Sequence, residues 1–447
     1  MNTVNGLPKY VCTQTIDRTR YEPDSSRFVP DNSRHHVHSC DSLAAEVNGA
    51  TWKRQLSSSD RLRLDVAVTH SRPGLDSEMY SWAGEERFGD RDLFEMVRDG
   101  AVSSGSFSSI LASIFGGEAA NFSYNGDRNT IGGKLLSEFG FRVPLEKSHY
   151  SYVLGANQNR QVPIEYDGSV LTDPETSDLV RLIVRASHLP AESSTCEITQ
   201  TLDYKRMSLH GAEFLLPEET RISALHIDGS QAENVIHYSA CHEFKGESTV
   251  RFGGLPAADV RAPANEASPP ALSLPAGLPF KLVFTERIDP SEAAAGDRIR
   301  GKLKTAIKDQ AAHILVAEGT GMTGRIVNIR RFYAPVKQAG NRAEPLLRPS
   351  LVMKVTLETV EMNGRSYPIK AKFDGGTSRF VKVPGAMARR VELGSADQLE
   401  ESDVGEFDFF DANPDRIATT GVESSWVTLA PDRLNSTRDR THTITER

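Results

Sequence analysis

The sequence predicts an α+β protein: a curved antiparallel half-barrel sheet covered by helices, followed by a small mostly-β barrel or sandwich domain. Three observations lead there. Before residue 252, strand-length runs alternate apolar and polar residues, with turn dipeptides between them. One stretch, 91–116, changes to the 3.6-residue period of a helix. The segment 253–272, GGLPAADVRAPANEASPPAL, is rich in Pro, Ala and Gly and reads as a linker between two β-rich regions.

In the first region, 1–252, Leu62, Leu64, Val66 and Val68 alternate with polar or small residues, as in a half-buried strand. Cys196, Ile198, Leu202 and Tyr204 share one side of a later strand, with Glu197, Thr199, Thr201, Asp203 and Lys205 on the other. Asp167-Gly168 separates PIEY from SVLTD, and Asp228-Gly229 separates RISALHI from QAENVIHYSAC. Both dipeptides suit the positive φ of tight hairpins, so a meander is expected with strands at 196–205, 213–227 and 231–242. An apolar sheet face needs a cover. Phe107, Ile110, Leu111, Ile114 and Phe115 form one helical stripe, stopped by Gly116-Gly117. Leu93, Phe94, Met96 and Val97 predict a shorter helix before it, ended by Gly100.

The second region, 273–430, is again β. Phe280, Leu282 and Phe284 alternate, as do Leu351, Met353, Val355 and Leu357, and Asn363-Gly364 joins the latter run to RSYPIKAKF as a hairpin. Residues 334–350, with three prolines, read as a long loop, and the polar stretch 431–447 as a disordered tail.

The chain has 447 residues, 52 basic and 60 acidic, for a net charge of −8. That balance argues against a broadly basic nucleic-acid binder, so no nucleic-acid partner is expected. No apolar run reaches the roughly 18 residues of a membrane-spanning helix, so no transmembrane segment is expected. The first residues have neither a basic n-region nor an apolar h-region, which suits a cytoplasmic chain or a mature exported one. Cys12, Cys40, Cys196 and Cys241 form no CxxC pair. In the expected meander Cys196 and Cys241 fall at opposite strand ends, which leaves Cys12–Cys40 as the only plausible bridge, against four unbridged, buried thiols.

Motifs that could carry chemistry each meet a simpler reading. In a strand, His36, His38 and Cys40 of His35-His36-Val37-His38-Ser39-Cys40 would share a face suited to Zn²⁺ or Cu²⁺, but no fourth ligand is evident and a polar loop is favoured. Gly319-Thr320-Gly321-Met322-Thr323-Gly324 matches GxGxxG, yet RIVNIRRFY follows it, a strand where a dinucleotide site needs a helix. Asp403, Glu406, Asp408 and Asp411 lack Ca²⁺-loop spacing, and with Phe407 and Phe409 between them they suit a strand. GxSxG, HExxH and Walker motifs are absent, so no catalytic residue, metal or cofactor is expected and the chain does not read as an enzyme.

The helical stretch 91–116, the Asp173-Pro174-Glu175-Thr176 turn, the strand Leu179–Ala186 and the meander at 195–244 together resemble the lipoprotein-carrier superfamily of LolA/LppX/RseB-like half-barrels. The family turn reads DPxTG; Ser177 stands here where that pattern has Gly. LPKYVCTQTIDR and EMYSWAG are similar to segments of uncharacterised secreted bacterial proteins. In the second region LPAGLPFKLVFTERIDPSEAAAGDRIRGKL and VAEGTGMTGRI resemble an envelope β-domain with LPxGT- and IPxGS-type turns. The resemblance implies a periplasmic or secreted setting.

The expected function is non-enzymatic binding of a lipid, acyl chain or apolar peptide on the concave face of the first domain. Phe107, Ile110, Leu111, Ile114, Phe115, Ile198, Leu202 and Tyr204 would line it. The alternative is a structural or interaction protein of the envelope with a solid core, recruiting a protein partner by strand addition.

Overall fold

The computed structural model divides the chain into two compact units, residues 1–245 and 246–447. The structure describes most of residues 9–243 and 278–373, with short interruptions, and strand segments at 382–383, 386–387, 405–410 and 427–429. The expected linker and tail, 253–272 and 431–447, lie outside the described residues.

The first unit runs β1 (Tyr10–Pro23), α1 (Cys40–Asn48), β2 (Arg54–Arg72), β3 (Leu75–Trp82), α2 (Leu93–Met96), α3 (Ser109–Phe115), β4 (Asn121–Asn129) and β5 (Leu135–Val143). It continues with β6 (Ser151–Leu154), β7 (Arg160–Pro163), β8 (Tyr166–Thr172), β9 (Leu179–Ala186), β10 (Thr195–Leu209), β11 (Ala212–His226) and β12 (Gln231–Glu243). Antiparallel ladders join these strands in the order β4–β5–β8–β9–β10–β11–β12–β1–β2–β3. β6 and β7 form a separate hairpin. The N-terminal strand is therefore not at an edge. It inserts between β12, the unit's last strand, and β2, which closes the unit's two ends together.

The expected α+β class is overturned: the unit is mostly β, and its helices do not cover the sheet. Helices do form where the 3.6 period placed them, but α2 has four residues and α3 seven. At 1.5 Å per residue α3 is roughly 10 Å long, about two strand spacings, against ten strands in the sheet.

Leu64, Val66 and Val68 have no exposed surface, as their alternation predicts. The turn Asp173–Asp178 precedes β9: Ser177 N–H donates to the Asp173 carbonyl at 2.7 Å, and Ser177 takes φ +60° where the family pattern has Gly. Asp228-Gly229 also turns, with Gly229 at φ +78° between β11 and β12. Asp167-Gly168 does not. Both residues lie within β8, and a Cβ on Gly168 would stand 1.8 Å from the Ile183 carbonyl oxygen. That glycine serves close strand approach rather than a turn.

The cysteine expectation is also corrected. The bridges are Cys12–Cys241 and Cys40–Cys196, and no cysteine is free. Insertion of β1 beside β12 brings Cys12 to Cys241, with Cα atoms 4.1 Å apart. α1, whose Ser39 Oγ accepts the Ser42 N–H at 3.2 Å as an N-cap, packs Leu43 against Cys196 and Leu225 and so brings Cys40 to β10.

In the second unit, β13 (Pro279–Phe280), β14 (Leu282–Phe284), β15 (Arg298–Leu303), β16 (Ile307–Lys308), β17 (Ile314–Val316), β18 (Gly321–Val336) and β19 (Leu346–Met362) come first. There follow β20 (Arg365–Pro368), β21 (Ala371–Phe373), β22 (Lys382–Val383), β23 (Ala386–Met387), β24 (Gly405–Phe410) and β25 (Val427–Leu429). Ladders run β14–β15–β18–β19, and the far side of β19 pairs with β20 and β24. Asn363 and Gly364, at φ +51° and +72°, make the expected hairpin. The expected loop 334–350 is shorter than its prolines suggested, because β18 runs to Val336 and β19 starts at Leu346. Pro335 and Pro349 sit inside these strands, opposite Leu347 and Tyr333.

Candidate functional site

One apolar cluster gathers most of the residues expected to line a ligand. Ile110, Leu111 and Ile114 of α3 pack with Phe141 and Val143 of β5, Tyr166 and Val170 of β8, Leu182, Val184 and Ala186 of β9, and Leu202 and Tyr204 of β10. Phe115 packs at its margin. α3 also lies against β3, the edge strand at the other end of the sheet. Ile198 is half-buried on the same strand as Leu202 but is not part of the cluster. Phe107 lies outside the described residues.

Ile114, Leu182 and Leu202 have no exposed surface, so they are core rather than a surface open to a ligand. Beside the cluster, the edge strand β4 exposes aromatic rings. Phe122 and Tyr124 of β4 are 47% and 60% exposed, on the same side of the edge strand. Phe115 stacks on Phe122 with ring centroids 5.6 Å apart and an interplanar angle of 13°. Phe122 contacts Phe141 at 6.1 Å, Phe141 meets Tyr166 edge-on at 6.3 Å, and Tyr166 contacts Tyr150 at 5.4 Å. The rings thus continue from an exposed lip to a buried end, in the offset and edge-to-face geometries aromatic pairs favour. Tyr124 is held upright: its ring packs on Phe139 at 5.4 Å, and its hydroxyl donates to Asp127 Oδ1 at 2.7 Å.

The phenols at the buried end stay protonated at neutral pH. Burial pushes Tyr150 up to about 12, raises Tyr166, and lifts Tyr204 well above its ordinary value. Tyr166 shares a 3.1 Å hydrogen bond with Ser113 Oγ of α3. The Tyr204 hydroxyl is buried with no hydrogen-bond partner among the described residues.

Sequence reasoning missed Phe122 and Tyr124 because NFSYNG carries turn-forming Asn and Gly. The available signal was the i, i+2 spacing of Phe122 and Tyr124, matched by Phe139 and Phe141 on the next strand. The other motifs resolve simply. His35, His36 and His38 lie outside the described residues, and Cys40, the fourth member of that cluster, is committed to a disulfide and is not a thiolate ligand. Residues after Gly319-Thr320 form β18, without the helix a pyrophosphate needs, and Gly324 is packed against the Thr356 carbonyl. Gly405–Phe410 is a strand, β24. Asp403 and Asp411, the outer acids of that stretch, lie outside the described residues. Among the described residues no His, Cys, Asp and Glu side chains gather as a metal site, and no helix is long and apolar enough to cross a membrane.

No protein-family model matches the chain, and no curated protein or solved structure is detectably similar to it.

Proposed function

We propose that the first unit binds an apolar ligand, a lipid, acyl chain or apolar peptide, at the aromatic lip formed by Phe115, Phe122 and Tyr124, in an exported protein of the periplasm or extracellular space. The observation that carries this is the exposure of Phe122 and Tyr124 at the open end of a continuous line of rings. Large aromatic surface left in water, and held rigidly, is ready to cover an apolar partner without further ordering. Each 100 Å² or so of acyl surface covered there contributes about 2.5 kcal/mol. The oxidised state of all four cysteines supports the export reading, since bridges persist in oxidising compartments and are rare in the cytosol. The resemblance to lipoprotein carriers points the same way.

The complete burial of Ile114, Leu182 and Leu202 favours the other reading for the deep part of the cluster, a solid core in an envelope interaction protein. The two readings separate in one experiment. The full chain, produced with its disulfides, is titrated with a fluorescent fatty acid and in parallel weighed by native mass spectrometry. Saturable binding, weakened at least tenfold by Phe122→Ala, supports the lip as a binding site. Absence of saturable binding together with a bare protein mass overturns it in favour of the solid interaction module.

A further inference from the structure

β4 is an edge strand: among the described residues its only ladder partner is β5. Its outer row of backbone N–H and C=O groups is therefore available to another strand. Natural edges are usually blunted by charge, proline or a bulge. Here the bulge comes late, between Tyr124 and Gly126, where Gly126 adopts φ +97°, and the charges Asp127 and Arg128 follow it. The stretch before the bulge includes Phe122-Ser123-Tyr124, which is uncharged, exposed throughout and free of proline.

That segment is also a chemical palindrome. An antiparallel strand related by a two-fold axis through Ser123 would set Phe122 against Tyr124 and Ser123 against Ser123 of the second chain, with the bulge at Asn125 ending the match. The match needs no sliding, because a two-fold axis through a residue suits either phase of an antiparallel ladder, hydrogen-bonded or not. It would place each exposed ring beside a ring of the other copy, the cross-strand aromatic pairing that sheets favour. A self-complementary patch is what an isologous dimer requires. We infer that β4 is a self-pairing edge, by which two copies of this chain join through residues 122–124 into one continuous antiparallel sheet.

Directly opposed residues in such a ladder have Cα atoms about 4.5–5.5 Å apart, within reach of a disulfide. Since every native cysteine is already bridged, a new thiol at position 123 has only its counterpart to react with. Ser123→Cys is expected to form a covalent dimer under mild oxidation, and Glu213→Cys, exposed on β11 away from β4, is expected to stay uncrosslinked. Light scattering on the unmodified chain is expected to give twice 49.1 kDa at micromolar concentration, and the Phe122→Lys/Tyr124→Lys double variant a monomer. A monomeric mass for the unmodified chain, alone or with a co-purified peptide, overturns the inference. So does crosslinking of Ser123→Cys no faster than that of Glu213→Cys. Ser123 alternates with the two lip residues and so faces away from the lip; the crosslinking result stands or falls independently of fatty-acid binding.

Discussion

Cys40 and Cys196, 156 residues apart in the chain, are bridged with their Cα atoms 5.1 Å apart, and the bridge fastens α1 to the start of β10. α1 has nine residues, too few to be stable alone, and buries little besides Leu43. The tether therefore matters more to α1 than its packing does. Replacing both cysteines with serine is expected to cost about 3 kcal/mol, chiefly by enlarging the unfolded ensemble. Urea unfolding should show a lower midpoint and a steeper slope, because the unbridged unfolded chain exposes more surface. An unchanged midpoint would show that the bridge restrains nothing.

This pairing marks where the sequence stopped being readable. Local devices were legible: the alternation at Leu64, Val66 and Val68, the turn at Asp173–Asp178, and the hairpin at Asn363-Gly364 each follow from side-chain period or backbone freedom within a few residues. Cys12–Cys241 depends on β1 entering beside β12, across 229 residues, and Cys40–Cys196 on α1 docking against β10, across 156, and neither contact leaves a local trace. Asp167-Gly168 failed for a related reason. A glycine needed for close approach of Ile183 looks, within its own sequence window, the same as one needed for a turn. The aromatic lip was half legible: Phe115 was found as the end of a helical stripe, whereas Phe122, stacked on it, sat in a stretch that reads as a turn.

Gly168 supplies the second test. Its Cβ would meet the Ile183 carbonyl at 1.8 Å and the Phe141 ring at 2.9 Å, and the first of these is backbone that cannot move without parting β8 from β9. Gly168→Ala is expected to cost at least about 3 kcal/mol, at the upper end of overpacking penalties. A thermal midpoint within a degree or two of the parent would mean that the two strands have room to separate.

Core and lip should respond differently to truncation. Ile114 is fully buried, so Ile114→Ala is expected to destabilise the unit by about 3 kcal/mol through lost burial and a residual cavity. Phe122 is nearly half exposed and should cost about 1 kcal/mol or less when truncated. Fatty-acid titration should rank the two in the opposite order, with Phe122→Ala the more damaging. Equal loss of binding in both would point to global loosening rather than a lip contact.

Arg18 and Asp60 face each other across β1 and β2, both nearly buried, with Nε 2.5 Å and Nη2 2.8 Å from the two carboxylate oxygens. Such a pair adds little net stability over an apolar pair of the same size, but it is costly to break on one side. Asp60→Asn removes the carboxylate that faces the buried guanidinium and is expected to cost about 3–5 kcal/mol. Replacing both residues together, Arg18→Met with Asp60→Leu, should recover most of that loss. A double-mutant cycle by urea unfolding measures it; additivity of the two single effects would mean the pair is not coupled.

Asp173 sets an acid limit on the first unit. Its carboxylate accepts the Lys134 ammonium at 2.5 Å and the Glu175 N–H at 3.0 Å, and these donors hold its pKa below the ordinary aspartate value. A group whose folded pKa is depressed releases its proton more readily in the native state than in the unfolded chain. Its stabilisation is then fully present above the unfolded value of about 3.9 and is lost as pH falls through the lower folded value. Asp178, held down by the two Arg206 donors at 2.6 and 2.7 Å on the same turn, titrates in the same direction. Thermal midpoints measured from neutrality downward should therefore stay level to about pH 4 and then drop, with the turn before β9 giving way. In Asp173→Asn the plateau should be lower and the acid drop shallower, because one of the depressed carboxylates of this turn is gone. A drop of unchanged steepness in that variant would assign the acid sensitivity to carboxylates elsewhere in the unit.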